Sequence, residues 1–130
     1  MKKIPILLMM TLLLTGYAVP KPATEANTYR RITMQEAVEM MEKEENYMIL
    51  DVRTHEEFAA GHIPGAIVVP NETIGTEEIA QLPDKEQLIM VYCRSGNRSK
   101  QASDKLVKLG YTHIAEFGGI IDWPGEIVTD

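Results

Sequence analysis

Short apolar runs alternate with helix-forming segments along the chain, and this alternation constrains its fold more than any other feature. Four runs have the length and composition of buried strands: residues 47–52, 66–69, 88–92 and 113–117. The first of them is apolar at almost every position, as are strands covered on both faces of a parallel sheet. The alternation therefore predicts an α/β fold around a parallel sheet.

Capping signals mark the helices between these strands. Thr33 with Glu36, and Thr54 with Glu57, each fit a capping box at the start of a helix. Gly61 and Gly110 stand where helices end. The predicted helices cover residues 33–44, 54–61, 99–109 and, from a weaker pattern, 76–82.

The N-terminus has the three-part pattern of a secretory signal peptide. Lys2 and Lys3 precede an apolar run at residues 4–14, and small residues follow as far as Ala18. We expect residues 1–18 to be a signal peptide cleaved near Ala18, with retention as a membrane anchor as the alternative. The apolar run is much shorter than the roughly 20 residues of a spanning helix, which favours cleavage.

The predicted location follows from this leader. Residues 19–28 lack apolar periodicity and read as a tether, and the folded domain is expected at residues 29–130. We expect the mature protein to be exported, in the periplasm or another extracytoplasmic space.

Size and charge limit the partners. A chain of 130 residues supplies one ordinary core, so we expect one domain. We also expect a monomer. The formal charge is −6, and it becomes −8 when residues 1–18 leave with their two lysines. This sign excludes nucleic acid as the expected partner and, beyond export, an anionic membrane surface.

The single cysteine of the chain, Cys93, follows directly on the predicted strand at residues 88–92 and precedes the helix at residues 99–109. Ligand sites of open α/β sheets lie at such carboxyl ends of strands. Gly96 and Asn97 tolerate left-handed backbone, so the loop can turn successive N–H groups toward the sulfur. The helix N-terminus and two arginines in the loop also favour thiolate over thiol. The sequence therefore predicts a nucleophilic sulfur.

Three ordered motifs carry a family resemblance. The loop from Cys93 to Ser99 resembles the active-site loop of the rhodanese family. The stretch from Leu50 to Arg53, followed by Glu57-Phe58 and residues 61–66, is similar to the family's upstream signature. Phe117-Gly118-Gly119 with Trp123 resembles its C-terminal one. The resemblance spans about Tyr29 to Pro124.

This resemblance implies a fold and a reaction. The fold is a single five-stranded parallel sheet with helices on both faces. The reaction moves a sulfane sulfur from thiosulfate or a similar donor to a thiophilic acceptor, cyanide or a thiol, through a Cys93 persulfide. The implied partners are a small anionic donor and that acceptor, with no metal or organic cofactor. The signal peptide makes the chain most similar to the small single-domain periplasmic members.

The substrate contacts are expected within the loop. Arg94 is the main candidate for the anionic donor, and Arg98 either contacts the donor or braces the loop. Backbone amides along the loop are expected to stabilise charge on the terminal sulfur. The candidate substrate-binding residues are Arg94, Ser95, Gly96, Asn97 and Arg98.

Supporting roles are assigned to residues around the loop. Ser99 closes the loop, and Asp51 either shapes it or pairs locally with Arg53. His62, in a Gly/Pro turn, is expected to be structural. His55 and His113 are expected at the surface, and Trp123 is expected to pack against the core or its edge.

Two other functions stay open. Cysteine-dependent phosphatases and arsenate reductases also cradle an anion between cysteine and arginine. Phosphatase loops, however, place five residues between the two, and Cys93 and Arg98 have four. A rhodanese-fold binding module is the non-enzymatic alternative, against which the presence of Cys93 argues.

Overall fold

In the computed structural model, which describes residues 28–129, five short strands pair in parallel to form one sheet. They are β1 (Arg30–Arg31), β2 (Tyr47–Asp51), β3 (Ile67–Val68), β4 (Leu88–Cys93) and β5 (Ile114–Gly119). Their order across the sheet is β1-β5-β4-β2-β3, so β4 is the central strand. The four strands predicted from apolar runs are all confirmed.

The predicted signal peptide at residues 1–18, its cleavage near Ala18 and the tether as far as residue 27 lie outside the described residues. Within residues 28–129, none of the helices is long and apolar enough to cross a membrane.

Three α-helices connect the strands: α1 (Met34–Lys43), α2 (His55–Ala60) and α3 (Asn97–Lys108). Both predicted capping boxes are present. Thr33 Oγ1 accepts from the amide of Glu36 at 3.0 Å, and Glu36 Oε1 accepts from the amide of Thr33 at 2.8 Å. Single turns of 3-10 helix occur at Asn71–Thr73 and Ile120–Asp122.

The helix expected at residues 76–82 is wrong, because this segment consists of bends and turns. Gly75 and Pro83 leave it only seven residues, which is too short for a helix that must stabilise itself. Tertiary contacts hold it instead: Leu82 is buried, and its carbonyl accepts the Tyr111 hydroxyl at 2.6 Å.

β1 is the one strand that the apolar pattern does not predict. Both of its residues, Arg30 and Arg31, are exposed arginines. The pairing of Arg30 with Ala115 and of Arg31 with Glu116 places the strand at the edge of the sheet, beside β5. Such a short charged edge strand is specified by its neighbour, since its own sequence carries no strand signal.

Helices cover both faces of the sheet. Side chains along the buried strand β4 point to the two faces in turn, so they divide between two hydrophobic clusters. Ile89, Val91 and Cys93 pack in the cluster that includes residues of α3. Met90 and Tyr92 pack in the cluster that includes residues of α1. Cys93 therefore ends the central strand on the side of α3.

A buried polar network ties the ends of β2 and β4 together. Arg53 donates to both oxygens of Asp51, with Nη2 at 2.7 Å from Oδ2, and Nη2 also donates to the Gly61 carbonyl at 2.7 Å. The Tyr92 hydroxyl donates to Asp51 Oδ2 at 2.7 Å and accepts from the Ile63 amide at 3.1 Å. Burial acts to lower the pKa of Arg53, but the hydrogen bond and charge of Asp51 outweigh it and raise that pKa.

We predict that Asp51→Asn destabilises the fold more than Tyr92→Phe does. Loss of the carboxylate leaves the Arg53 charge buried without its partner, which costs about 3 kcal/mol. Loss of the Tyr92 hydroxyl removes one hydrogen bond to the Asp51 carboxylate and leaves the Ile63 amide without its acceptor, at about 2 kcal/mol in total. Urea unfolding of both variants measures the difference, with Tyr47→Phe as a control whose hydroxyl makes one half-buried bond. Equal losses for Asp51→Asn and Tyr92→Phe would contradict this account.

Candidate active site

Cys93 lies at the carboxyl end of the central strand and is 1 % exposed. The Gly96 amide donates to its Sγ at 3.0 Å. Helix α3 begins at Asn97, so the positive end of the helix dipole is directed at the same loop. The predicted placement of the thiol, at a strand end and beside a helix N-terminus, is confirmed.

Gly96 makes this placement sterically possible. It is the residue before α3 and has φ 113°, a left-handed backbone that side chains with a Cβ rarely adopt. The chain therefore turns from strand to helix within three residues, and the turn points the Gly96 N–H back at the sulfur. The predicted helix start at residue 99 is two residues late, because Asn97 and Arg98 belong to the helix.

Gly119, in the C-terminal glycine motif, lies directly against the backbone of the Cys93 loop. Cys93 pairs with Gly119 across the sheet, after a register irregularity in β4. A Cβ on Gly119 would overlap the Arg94 carbonyl and Ser95, so only glycine allows the loop to pack there. The Arg94 carbonyl also accepts from the Ile121 amide at 3.3 Å.

Ser99, which is predicted to support the loop, is fully buried. Its Oγ lies 3.4 Å from Cys93 Sγ, 3.0 Å from the Gly96 carbonyl oxygen and 2.5 Å from Glu116 Oε2. This one hydroxyl thus contacts the Cys93 sulfur, the loop backbone and a buried carboxylate.

Arg98 forms a two-pronged ion pair with Glu57 of α2, with nitrogen–oxygen distances of 2.7 and 3.1 Å. The hydrogen bond from Arg98 is the main reason that the pKa of Glu57 is lowered, to about 2. The same bond raises the pKa of Arg98. Both terminal nitrogens of the guanidinium are engaged with Glu57, which favours the bracing role over direct contact with substrate.

Arg94, Ser95 and Asn97 are exposed around the buried Gly96. Among residues 28–129, the Arg94 side chain has no ion pair or hydrogen bond, so its charge is available to an anion. A cavity of about 450 Å³ opens beside the loop, lined in part by Ser95, Gly96, Arg31 and Lys100. This volume is within the range of small-molecule sites.

Asp51 of β2 is the strand partner of Tyr92, the residue before Cys93. Its side-chain hydrogen bonds go to Arg53 and Tyr92 and not to the loop at residues 94–98. Local pairing with Arg53 is therefore present, and Asp51 reaches the loop through its hydrogen bond to Tyr92 and through the action of its charge on Arg98.

The remaining predictions concern the three histidines and Trp123. His62 is buried, its ring stacks on Phe58 at 3.6 Å between centroids, and its Nδ1 is 2.7 Å from the Phe58 carbonyl oxygen. His55 and His113 are exposed, and Trp123 packs half-buried against the core.

The geometry also bears on the phosphatase alternative. Four residues separate Cys93 from Arg98, and the Arg98 guanidinium is held by Glu57. A phosphoryl group in the loop would need that guanidinium for its equatorial oxygens. The arrangement is therefore poorly suited to phosphate transfer.

Sequence reasoning missed two carboxylates near the loop. Glu57 was identified as a capping residue, and the capping pattern carries no information about its bond to Arg98, 41 positions away. Glu116 lies in the middle of an apolar strand and is 2 % exposed. A lone carboxylate within a buried strand was the available signal, because such groups need a partner.

Comparison with known proteins shows similarity to one family of sulfur-handling domains. The profile of the rhodanese-like domain matches residues 33–125. The thiosulfate sulfurtransferase PspE of Escherichia coli is 37 % identical over 73 residues, which cover 56 % of this chain and 70 % of that protein. A sulfurtransferase of Allochromatium vinosum is 39 % identical over 80 residues, which cover 61 % of this chain and 73 % of that protein.

Solved structures show the same similarity. A rhodanese from E. coli, solved with anions, superposes with a TM-score of 0.58 at 36 % identity, covering 65 % of this chain and 99 % of that one. The rhodanese-like domain of an Anabaena protein gives a TM-score of 0.69 at 27 % identity, covering 77 % of this chain and 79 % of that one. With the five-stranded parallel sheet and Cys93 at the end of its central strand, these matches show that the chain belongs to the rhodanese-like domain family.

Proposed function

We propose that the protein is a thiosulfate sulfurtransferase that carries a sulfane sulfur on Cys93 and passes it to cyanide or a thiol. The observation that carries the proposal is the Gly96 N–H on the sulfur of the chain's single cysteine, at a helix N-terminus. Donors in that position stabilise negative charge on sulfur. The names of the relatives from E. coli and A. vinosum support the same reaction class.

The reaction is a double displacement. The Cys93 thiolate attacks the outer sulfur of thiosulfate, the sulfur–sulfur bond of the donor breaks, and sulfite leaves with its electron pair. The outer sulfur remains on Cys93 as a persulfide. Cyanide then attacks the terminal sulfur, thiocyanate forms and the thiolate returns. The two steps balance without an external oxidant or a cofactor.

Within this proposal the two arginines have different tasks. Arg94 is exposed beside the loop and supplies positive charge to the anionic donor. Arg98 holds the loop and the start of α3 against α2 through Glu57. Ser95 and Gly96, between the two arginines in sequence, line the cavity, and Asn97 is exposed at the start of α3, where the donor can contact it.

The proposed function includes export of the mature protein from the cytoplasm. The leader pattern at residues 1–18 supports a mature protein that acts outside the cytoplasm, where small sulfur anions reach it directly.

We predict that thiosulfate adds one sulfur atom to the protein and that cyanide removes it. The intact mass, measured before and after each reagent, reports both steps, and Cys93→Ser is the control that cannot be loaded. Because Cys93 is the only thiol, the added mass has one possible position on a cysteine. An unchanged mass, or turnover that survives Cys93→Ser, would exclude the proposal and leave the phosphatase and the binding module as the remaining alternatives.

We predict that Arg94→Ala raises the KM for thiosulfate by roughly tenfold, as expected for the loss of a charged contact to an anion. The melting temperature stays unchanged, because the exposed side chain makes no ion pair or hydrogen bond with the described residues. Lys43→Ala, which removes one exposed positive charge at the end of α1, is the matched control and leaves KM unchanged. A loss of stability with an unchanged KM would make Arg94 structural.

We predict that Arg98→Gln lowers the free energy of unfolding by about 1 kcal/mol near neutral pH, a modest value because both partners are partly exposed. The pKa of Glu57 is about 2 in the folded protein, below its ordinary 4.5, so the pair stabilises the fold above about pH 4.5. The gap between the wild type and Arg98→Gln therefore closes as the pH falls from 4.5 toward 2. Urea unfolding across this range measures it, and a gap independent of pH would refute the bracing role.

A further inference from the structure

Glu116 is a buried carboxylate next to the nucleophile that the proposed mechanism does not use. It lies in β5 and is 2 % exposed. Its Oε2 accepts from the Ser99 hydroxyl at 2.5 Å and from the Gly118 amide at 3.0 Å. A carboxylate at such a position needs hydrogen-bond partners, and these two donors supply them.

The Ser99 hydroxyl has a single proton to give. Glu116 Oε2 is its nearest acceptor at 2.5 Å, against 3.0 Å for the Gly96 carbonyl oxygen. When the hydroxyl donates to Glu116, its lone pairs are free to accept from the thiol of Cys93, 3.4 Å away. The three groups then form a continuous chain from sulfur through hydroxyl to carboxylate.

We propose that Glu116 takes the thiol proton of Cys93 through Ser99, an inference that rests on Cys93 being the reactive sulfur. The thiol S–H bond breaks as its proton passes to Ser99 Oγ. The hydroxyl proton of Ser99 passes at the same time to Glu116 Oε2. One negative charge moves from carboxylate to sulfur, the serine hydroxyl ends as a donor to the thiolate, and no proton leaves the protein.

Charged groups on each neighbouring element set the balance of this transfer. Arg31 of β1 places Nε 3.9 Å from Glu116 Oε1 and favours the carboxylate. Lys100 of α3 and Asp122, in the turn after β5, line the same cavity as Glu116. Arg98, paired with Glu57 of α2, interacts with the charge on Cys93 and favours the thiolate.

A shared proton has a measurable signature. Over a certain pH range Cys93 and Glu116 together hold one proton. The fraction of Cys93 present as thiolate is constant and partial in this range, because the total charge of the two groups does not change with pH there. The remaining thiolate forms only when the second proton leaves at higher pH. The thiolate therefore forms in two steps, separated by a plateau.

The test is the ultraviolet absorbance of the thiolate as a function of pH, with the spectrum of Cys93→Ser subtracted. The wild type is expected to titrate in two steps. Glu116→Gln keeps an oxygen for Ser99 and Gly118 but cannot hold the proton, so the first step is lost and one step remains. Glu77→Gln, at an exposed position, is the matched control and keeps both steps. Ser99→Ala lowers the amplitude of the first step, and Ser99→Thr, which keeps the hydroxyl, restores it.

A single step in the wild type, or two steps that persist in Glu116→Gln, would overturn the relay. The wild-type curve needs no variant to fold, so the proposal stays testable if Glu116→Gln is unstable. The titration also needs no sulfur donor. A two-step curve in a protein that thiosulfate fails to load would support the relay and reject the sulfurtransferase function. A one-step curve in a protein that thiosulfate loads would support the sulfurtransferase function and reject the relay.

Discussion

The junction between β4 and α3 is the constraint on which the rest of the site depends. The chain must leave a fully buried central strand, turn and enter a helix within three residues, and Gly96 allows this with a left-handed backbone. The turn fixes the distance of 3.0 Å between the Gly96 nitrogen and Cys93 Sγ. The amide donor on the sulfur is therefore a consequence of how the chain changes direction.

Several independent contacts keep that junction in place. Gly119 lets the backbone at Arg94 and Ser95 pack directly on β5. Arg98 joins the start of α3 to α2 through Glu57. On the other side of β4, the hydroxyl of Tyr92 ties the strand to Asp51 of β2. The loop is held by neighbours from both directions along the sheet, and its preorganisation lowers the cost of stabilising charge on the sulfur.

The sequence predicts the parts of this protein whose signal is local. The strands, both capping boxes and the loop around Cys93 are readable because each depends on residues within a few positions. β1 is not readable, since two exposed arginines become a strand only through pairing with β5. The segment at residues 76–82 fails for a related reason: the contact of Leu82 with Tyr111 overrides a weak helical pattern. The bond between Arg98 and Glu57 and the place of Glu116 beneath Ser99 are tertiary facts that only the folded chain supplies.

The central claim is that one sulfur atom rests on Cys93 between donor and acceptor. Thiosulfate labelled only in its outer sulfur, mixed with the protein and then removed by gel filtration, tests it most directly. We expect the label to stay with the protein and cyanide, added alone, to convert it to labelled thiocyanate in an amount equal to the loaded Cys93. Label that elutes with the small molecules, or thiocyanate that forms only while thiosulfate is present, would contradict it.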